Sequence, residues 1–139
     1  MMEISCGTIL YTRIKNELHY VVLREPVNGY CGFPKGHVER GETETETALR
    51  ETWEETSVRA EIVGDFCRQT TYSLRRGGSK RVTYFLARFS DQTPTHNPDY
   101  EYLEVLLLPY EKAYAALTHE NMKGFLKAAD EYIKSCPEL

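Results

Sequence analysis

The chain has 139 residues, 41% of them hydrophobic and 27% charged, with a net charge of −4 and a pI near 5.6. That length fits one domain with a sizeable core, expected to span residues 1–139. The acidic balance argues against broad attraction to nucleic acid, and no apolar run approaches the ~20 residues of a membrane helix. Neither a stable nucleic-acid partner nor a membrane association is therefore expected. The opening MMEISCGTIL lacks the basic flank of a secretion signal. Cys6, Cys31, Cys67 and Cys136 show no paired spacing, which suits reduced thiols in a cytoplasm.

Two runs rich in β-branched and aromatic residues, Ile4 to Thr12 and Leu18 to Arg24, predict a hairpin turning at Lys15-Asn16. PVNGYCG, from Pro26 to Gly32, reads as loop by its Pro and Gly content. Gly36 and Gly41 bracket a segment where the backbone can approach a ligand closely. Thr43 followed by Glu46 is a capping box, so a helix is expected from Glu44 to about Thr56. Ala48, Leu49, Thr52 and Trp53 are expected to pack it against a sheet. Val58 to Tyr72 reads as one long strand or a bent pair interrupted near Gly64-Asp65. RRGGSK, Arg75 to Lys80, is a hairpin turn, and Arg81 to Phe89 alternates as a strand. Ser90 to Tyr100 is polar loop, and Tyr102 to Leu108 reads as a buried strand. Helices over Tyr110 to Leu117 and Asn121 to Ile133 follow. The order implies a mixed sheet between helical layers, an α/β/α sandwich.

The central helix carries the chemistry. Glu51, Glu54 and Glu55 stand at i, i+3 and i+4, so all three project from one face. Like charges at that spacing repel, and only Arg50 lies beside them. A divalent cation over that face accounts for the cluster, since magnesium takes hard oxygen ligands together with substrate phosphates. The alternative is a solvated acidic face.

Gly36, Glu42, Arg50-Glu51, Glu54-Glu55 and Val58 match the pattern G-x5-E-x7-R-E-U-x-E-E-x-G-U, with U aliphatic, and on it the chain resembles the Nudix hydrolases. Two positions depart: Thr52 replaces an aliphatic residue and Ser57 a glycine. The resemblance implies a Nudix-type α/β/α sandwich and hydrolysis within the phosphate chain of a nucleoside diphosphate-linked substrate. It implies that Glu51, Glu54 and Glu55 hold magnesium, or manganese, with the main-chain carbonyl of Lys35. A further acidic ligand is expected from Asp99, Glu101 or Glu104, with Glu101 preferred because it immediately precedes an apolar run. Arg50 is expected to orient a carboxylate, and Glu42 to support the loop.

Within the family, PKGHVERGE and ETALRETWEET are most similar to the asymmetrically cleaving diadenosine tetraphosphate hydrolases. By that resemblance Tyr72, Lys80 and Tyr84 contact substrate, joined by Lys35 and His37 from the box region. His119 falls where that group places an aromatic that stacks on adenine, and Cys31 replaces an aromatic just before the box. The expected activity is cleavage of diadenosine tetraphosphate to ATP and AMP by a monomer or homodimer. Alternatives are action on nucleoside triphosphates, nucleotide sugars or RNA 5′ ends, a diphosphoinositol polyphosphate phosphatase, and a non-catalytic nucleotide-binding regulatory domain.

Overall fold

A computed structural model describes residues 1–100 and 102–139. The hairpin is formed by β1 (Met2–Ile14) and β2 (Glu17–Arg24), with Ile14 opposite Glu17. Lys15 and Asn16 both have positive φ, as the right-handed twist of a two-residue hairpin requires. Past Leu10 and Val21 these two strands lose contact. Two short strands, β3 (Cys31–Gly32) and β4 (Lys35–His37), enter the split, β3 on β2 and β4 on β1. This corrects the reading of Cys31-Gly32 as loop.

The helix α1 spans Glu44–Thr56, and its capping box is formed as expected. The long β5 (Glu61–Ser73) runs antiparallel to β6 (Ser79–Arg88), with a register shift between Ile62 and Cys67. Gly64, at φ 67°, sits within that bulge, where a Cβ would meet the Tyr132 hydroxyl. β6 pairs in parallel with β1 along Met2 to Tyr11. A 3-10 turn, Pro98–Tyr100, precedes β7 (Glu104–Pro109), which pairs with β2 and is half-buried throughout rather than buried. α2 (Tyr110–Ala116) and α3 (Glu120–Ser135) follow. Across the sheet the order is β7-β2-β1-β6-β5.

Strand alternation divides the core. Ile9, Tyr11, Tyr20, Tyr84 and Leu86 face α2 and α3, meeting Leu117, Met122, Leu126 and Ile133. The opposite face carries Leu10, Val21, Val58, Ala87 and Phe89 beneath α1. The α/β/α layering follows from these two faces. α1 packs through small residues, Ala48, Thr47, Thr52 and Thr56, all buried. Thr52 and Thr56 donate to the carbonyls one turn back, at 2.7 and 2.6 Å. Thr52 also meets Thr8 of β1, oxygen to oxygen at 2.7 Å. The hydroxyl at the expected aliphatic position therefore has partners on both sides. Trp53 does not pack against the sheet. It is 39% exposed, with the Arg59 guanidinium 5.2 Å from its ring centroid. Ser57 ends the helix at φ 62°, ψ 19°, the left-handed conformation that explains the family's glycine there.

Candidate active site

The split in the sheet brings β4 against α1. Gly7 of β1 lies so close to Pro34 and Lys35 that a Cβ there would strike both. Gly36 is equally constrained on its other side, where a Cβ would collide with the Glu51 carboxylate. The loop and the helix thus share one tight seam.

Arg50 organises the carboxylates. Its Nε and Nη2 donate to the two oxygens of Glu42 at 2.6 and 3.1 Å, a bidentate pair. Nη1 donates to Glu51 at 2.9 Å and to Glu54 at 2.7 Å, and Nη2 to the His37 carbonyl at 3.0 Å. Glu39 lies 3.4 Å from Nε. The Arg50 bonds hold the Glu42 carboxyl down to about 2, and Glu42 in turn pushes the guanidinium pKa up. The Arg50 guanidinium is thus committed to protein oxygens and ties Glu42, Glu51, Glu54 and the His37 carbonyl together.

Glu55 has a different environment. Its Oε1 accepts from the Lys35 N–H at 2.9 Å, yet burial pushes its carboxyl up to about 8, and the Glu51 charge adds to the rise. Glu51 is also raised, chiefly by burial, with Arg50 opposing. The Lys35 ammonium is lowered by burial and by nearby Lys80.

The donor set fits a hard divalent cation: oxygen ligands on one helical face, two of them desolvated, beside a glycine that lets the main chain come close. Among the described residues no three His, Cys, Asp or Glu side chains already converge as a metal-ligand group. Arg50 turns Glu51 and Glu54 toward itself, while the Lys35 amide holds Glu55. Of the later acidic candidates, Glu104 pairs with Arg24 at 2.6 Å across β2 and β7. Asp99 is exposed in the 3-10 turn, and Glu101 lies outside the described residues.

Beside the carboxylates lies a cleft of about 640 Å³ lined by Lys35, Tyr72, Tyr84 and His119, four of the expected substrate contacts. Tyr30, Thr70 and Asn121 complete much of its wall. Lys80 is paired opposite Tyr72 across β5 and β6 but does not line the cleft. The His37 side chain is exposed, and its carbonyl serves Arg50.

Tyr30 is the residue that sequence reasoning missed. Its ring centroid is 5.4 Å from that of His119. The Cys31 N–H donates to the Thr118 hydroxyl at 2.7 Å, and the Thr118 N–H to the Cys31 carbonyl at 3.1 Å. These bonds clasp the two loops and bring the rings together. The signal was adjacent: Cys31 points into the core, and the aromatic missing at that position stands one residue earlier.

A carboxylate-bearing helix seated beside a cleft with lysine and tyrosine walls is suited to acting on a phosphorylated ligand. The sequence profile of the NUDIX domain family matches residues 7–129, and the chain belongs to that family of hydrolases. Its members generally use divalent metal ions. The bis(5'-nucleosyl)-tetraphosphatase [asymmetrical] of Mus musculus is 32% identical over 143 aligned positions, covering 96% of this chain and 97% of the mouse protein. An RNA pyrophosphohydrolase of Sulfurovum sp. is 24% identical, covering 83% and 81% of the two chains. The C. elegans Ap4A hydrolase binary complex superposes with a TM-score of 0.84 over 96% of this chain and 98% of that one. At 23% identity this is a likeness of fold.

Proposed function

We propose that residues 1–139 form a single Nudix domain that cleaves diadenosine tetraphosphate asymmetrically to ATP and AMP. The observation that carries this reading is the continuity between the aromatic cleft and the carboxylate face, with Lys35 lining the cleft and its N–H bonded to Glu55. Similarity to the mouse enzyme over nearly the whole chain supports the substrate.

In this reading Glu51, Glu54 and Glu55 hold magnesium, or manganese, with the Lys35 carbonyl, and Glu101 is the further acidic ligand. When bound, the ion neutralises phosphate oxygens and makes water a better nucleophile. Lys35 and Lys80 draw in the polyphosphate, and His37 borders its path. Tyr72 and the Tyr30–His119 pair offer ring faces to one nucleoside, with Tyr84 at the cleft floor. One of the three glutamates accepts the proton of the attacking water, while Arg50 keeps Glu51 and Glu54 in register. Free thiols at all four cysteines support a cytoplasmic setting, and the enzyme acts as a monomer or homodimer.

The test is product analysis of magnesium-dependent hydrolysis. ATP plus AMP is expected, and Glu54→Gln should lower turnover at least ~100-fold. ADP as sole product overturns the asymmetric assignment. No action on any dinucleoside polyphosphate, beside brisk action on a nucleoside triphosphate, a nucleotide sugar or triphosphorylated RNA, moves the enzyme to another substrate class. Binding without hydrolysis of any of these supports a regulatory domain.

A further inference from the structure

A dinucleoside polyphosphate has two bases, and the cleft at Tyr30, Tyr72 and His119 accounts for one. We infer that Tyr100 and Tyr102 form the platform for the second nucleoside, on the far side of the carboxylates from that cleft. This rests on the dinucleoside polyphosphate reading and deepens it.

The argument follows the cavities. Tyr30 and Lys35, which line the cleft, also line a smaller cavity of about 110 Å³ whose wall includes Glu55 and Leu103. The Leu103 N–H donates to the Tyr100 carbonyl at 3.0 Å, so the 3-10 turn is tied directly to that wall. Tyr100 therefore stands next to the carboxylate face. Tyr102 follows with 60% of its surface exposed, its ring centroid 6.4 Å from that of Tyr100 and the planes tilted by 38°.

Sheet order separates the two aromatic sites. Tyr72 lies on β5 at one edge, and the segment carrying Tyr100 and Tyr102 enters β7 at the other. Four strand spacings of ~4.8 Å, widened at this end by β3 and β4 in the split, put those edges more than about 19 Å apart, with the Lys35–Glu55 seam between them. A single ligand that uses both sites carries an aromatic group at each end of a polyanionic chain. Stacking on an exposed tyrosine accepts any base, since every base offers a π-face. The second nucleoside is then recognised as a ring, without selection among bases.

The test compares diadenosine tetraphosphate with adenosine 5′-tetraphosphate, which has the same phosphate chain and a single nucleoside. KM and kcat are measured for the wild type, Tyr102→Ala, Tyr102→Phe and the Tyr100→Ala/Tyr102→Ala double variant, with circular dichroism to verify folding. Tyr102→Ala should raise KM for the dinucleotide about tenfold relative to KM for the mononucleotide, the double variant more, and Tyr102→Phe should restore it. An unchanged KM ratio, or an equal rise for both substrates, overturns the platform while leaving the substrate reading intact. A wild-type enzyme inactive on diadenosine tetraphosphate overturns the substrate reading and the platform with it.

Discussion

Replacing Glu55 with Gln should change how the metal-free fold responds to pH. In the native protein the Glu55 carboxyl titrates at about 8 against an ordinary value of 4.5, mainly because burial disfavours the anion. Between those values the native state holds a proton that the unfolded chain has released. Stability from this group is therefore fully present below about pH 4.5, declines as pH rises, and is gone once pH passes about 8. The gap between the two values sets an upper bound of roughly 5 kcal/mol. Water reaching the partly open site reduces the expected effect to roughly 2–3 kcal/mol, which for a chain of this length is about 7–10 °C in melting temperature. Thermal unfolding in chelator from pH 5 to 9 reads it directly. The wild type should lose about that much more than Glu55→Gln across the window, and magnesium at pH 8 should restore the wild type only. Parallel pH profiles for the two proteins would refute the reasoning.

Three other perturbations test the seams around the site. Ser57→Gly removes a side chain from a left-handed helix cap while keeping the 2.8 Å bond from residue 57 N–H to the Trp53 carbonyl. It should stabilise the fold by about 0.5–1 kcal/mol in denaturant titration, and a loss would count against the cap reading. Thr52→Val installs the family's aliphatic residue but orphans the buried Thr8 hydroxyl. A cost of about 1–3 kcal/mol is expected, most of it recovered in the Thr8→Val/Thr52→Val double variant. Gly36→Ala drives a methyl into the Glu51 carboxylate. Magnesium-dependent turnover should fall at least ~10-fold with the circular dichroism unchanged, and normal turnover would show that the loop and helix are not so tightly joined.

Local chemistry made the helix legible. Thr43 and Glu46 announced its start, and the i, i+3, i+4 spacing set three glutamates on one face. Its buried face was half legible: Ala48 and Thr52 are buried as expected, whereas Trp53 is not, and Thr47 and Thr56 are buried in addition, the Thr52 and Thr56 hydroxyls satisfied by the previous turn. β4 was invisible for another reason. Lys-Gly-His has no strand propensity, and those residues are extended because β1 and β2 part and leave β1 donors and acceptors to be paired. The cleft was half legible: Tyr72, Tyr84 and His119 came from resemblance, whereas Tyr30 depends on a clasp between residues 87 positions apart. Glu104, weighed as a metal ligand, is committed to Arg24 by strand register that no local pattern encodes.

The unequal lengths of the strand ladders on β1 have a consequence for how activity is lost. β6 is zipped to β1 from Met2 to Tyr11, whereas β4 holds on through Ser5, Cys6 and Gly7, flanked by single bonds from Thr8 N–H to the Pro34 carbonyl and from Val38 N–H to the Ile4 carbonyl. A short ladder opens by itself at a fraction of the free energy needed to melt the sheet. Amides of residues 35–38 should therefore exchange with deuterium well before those of residues 79–88. In mild denaturant, catalysis should fade while the circular dichroism still reports an intact sheet.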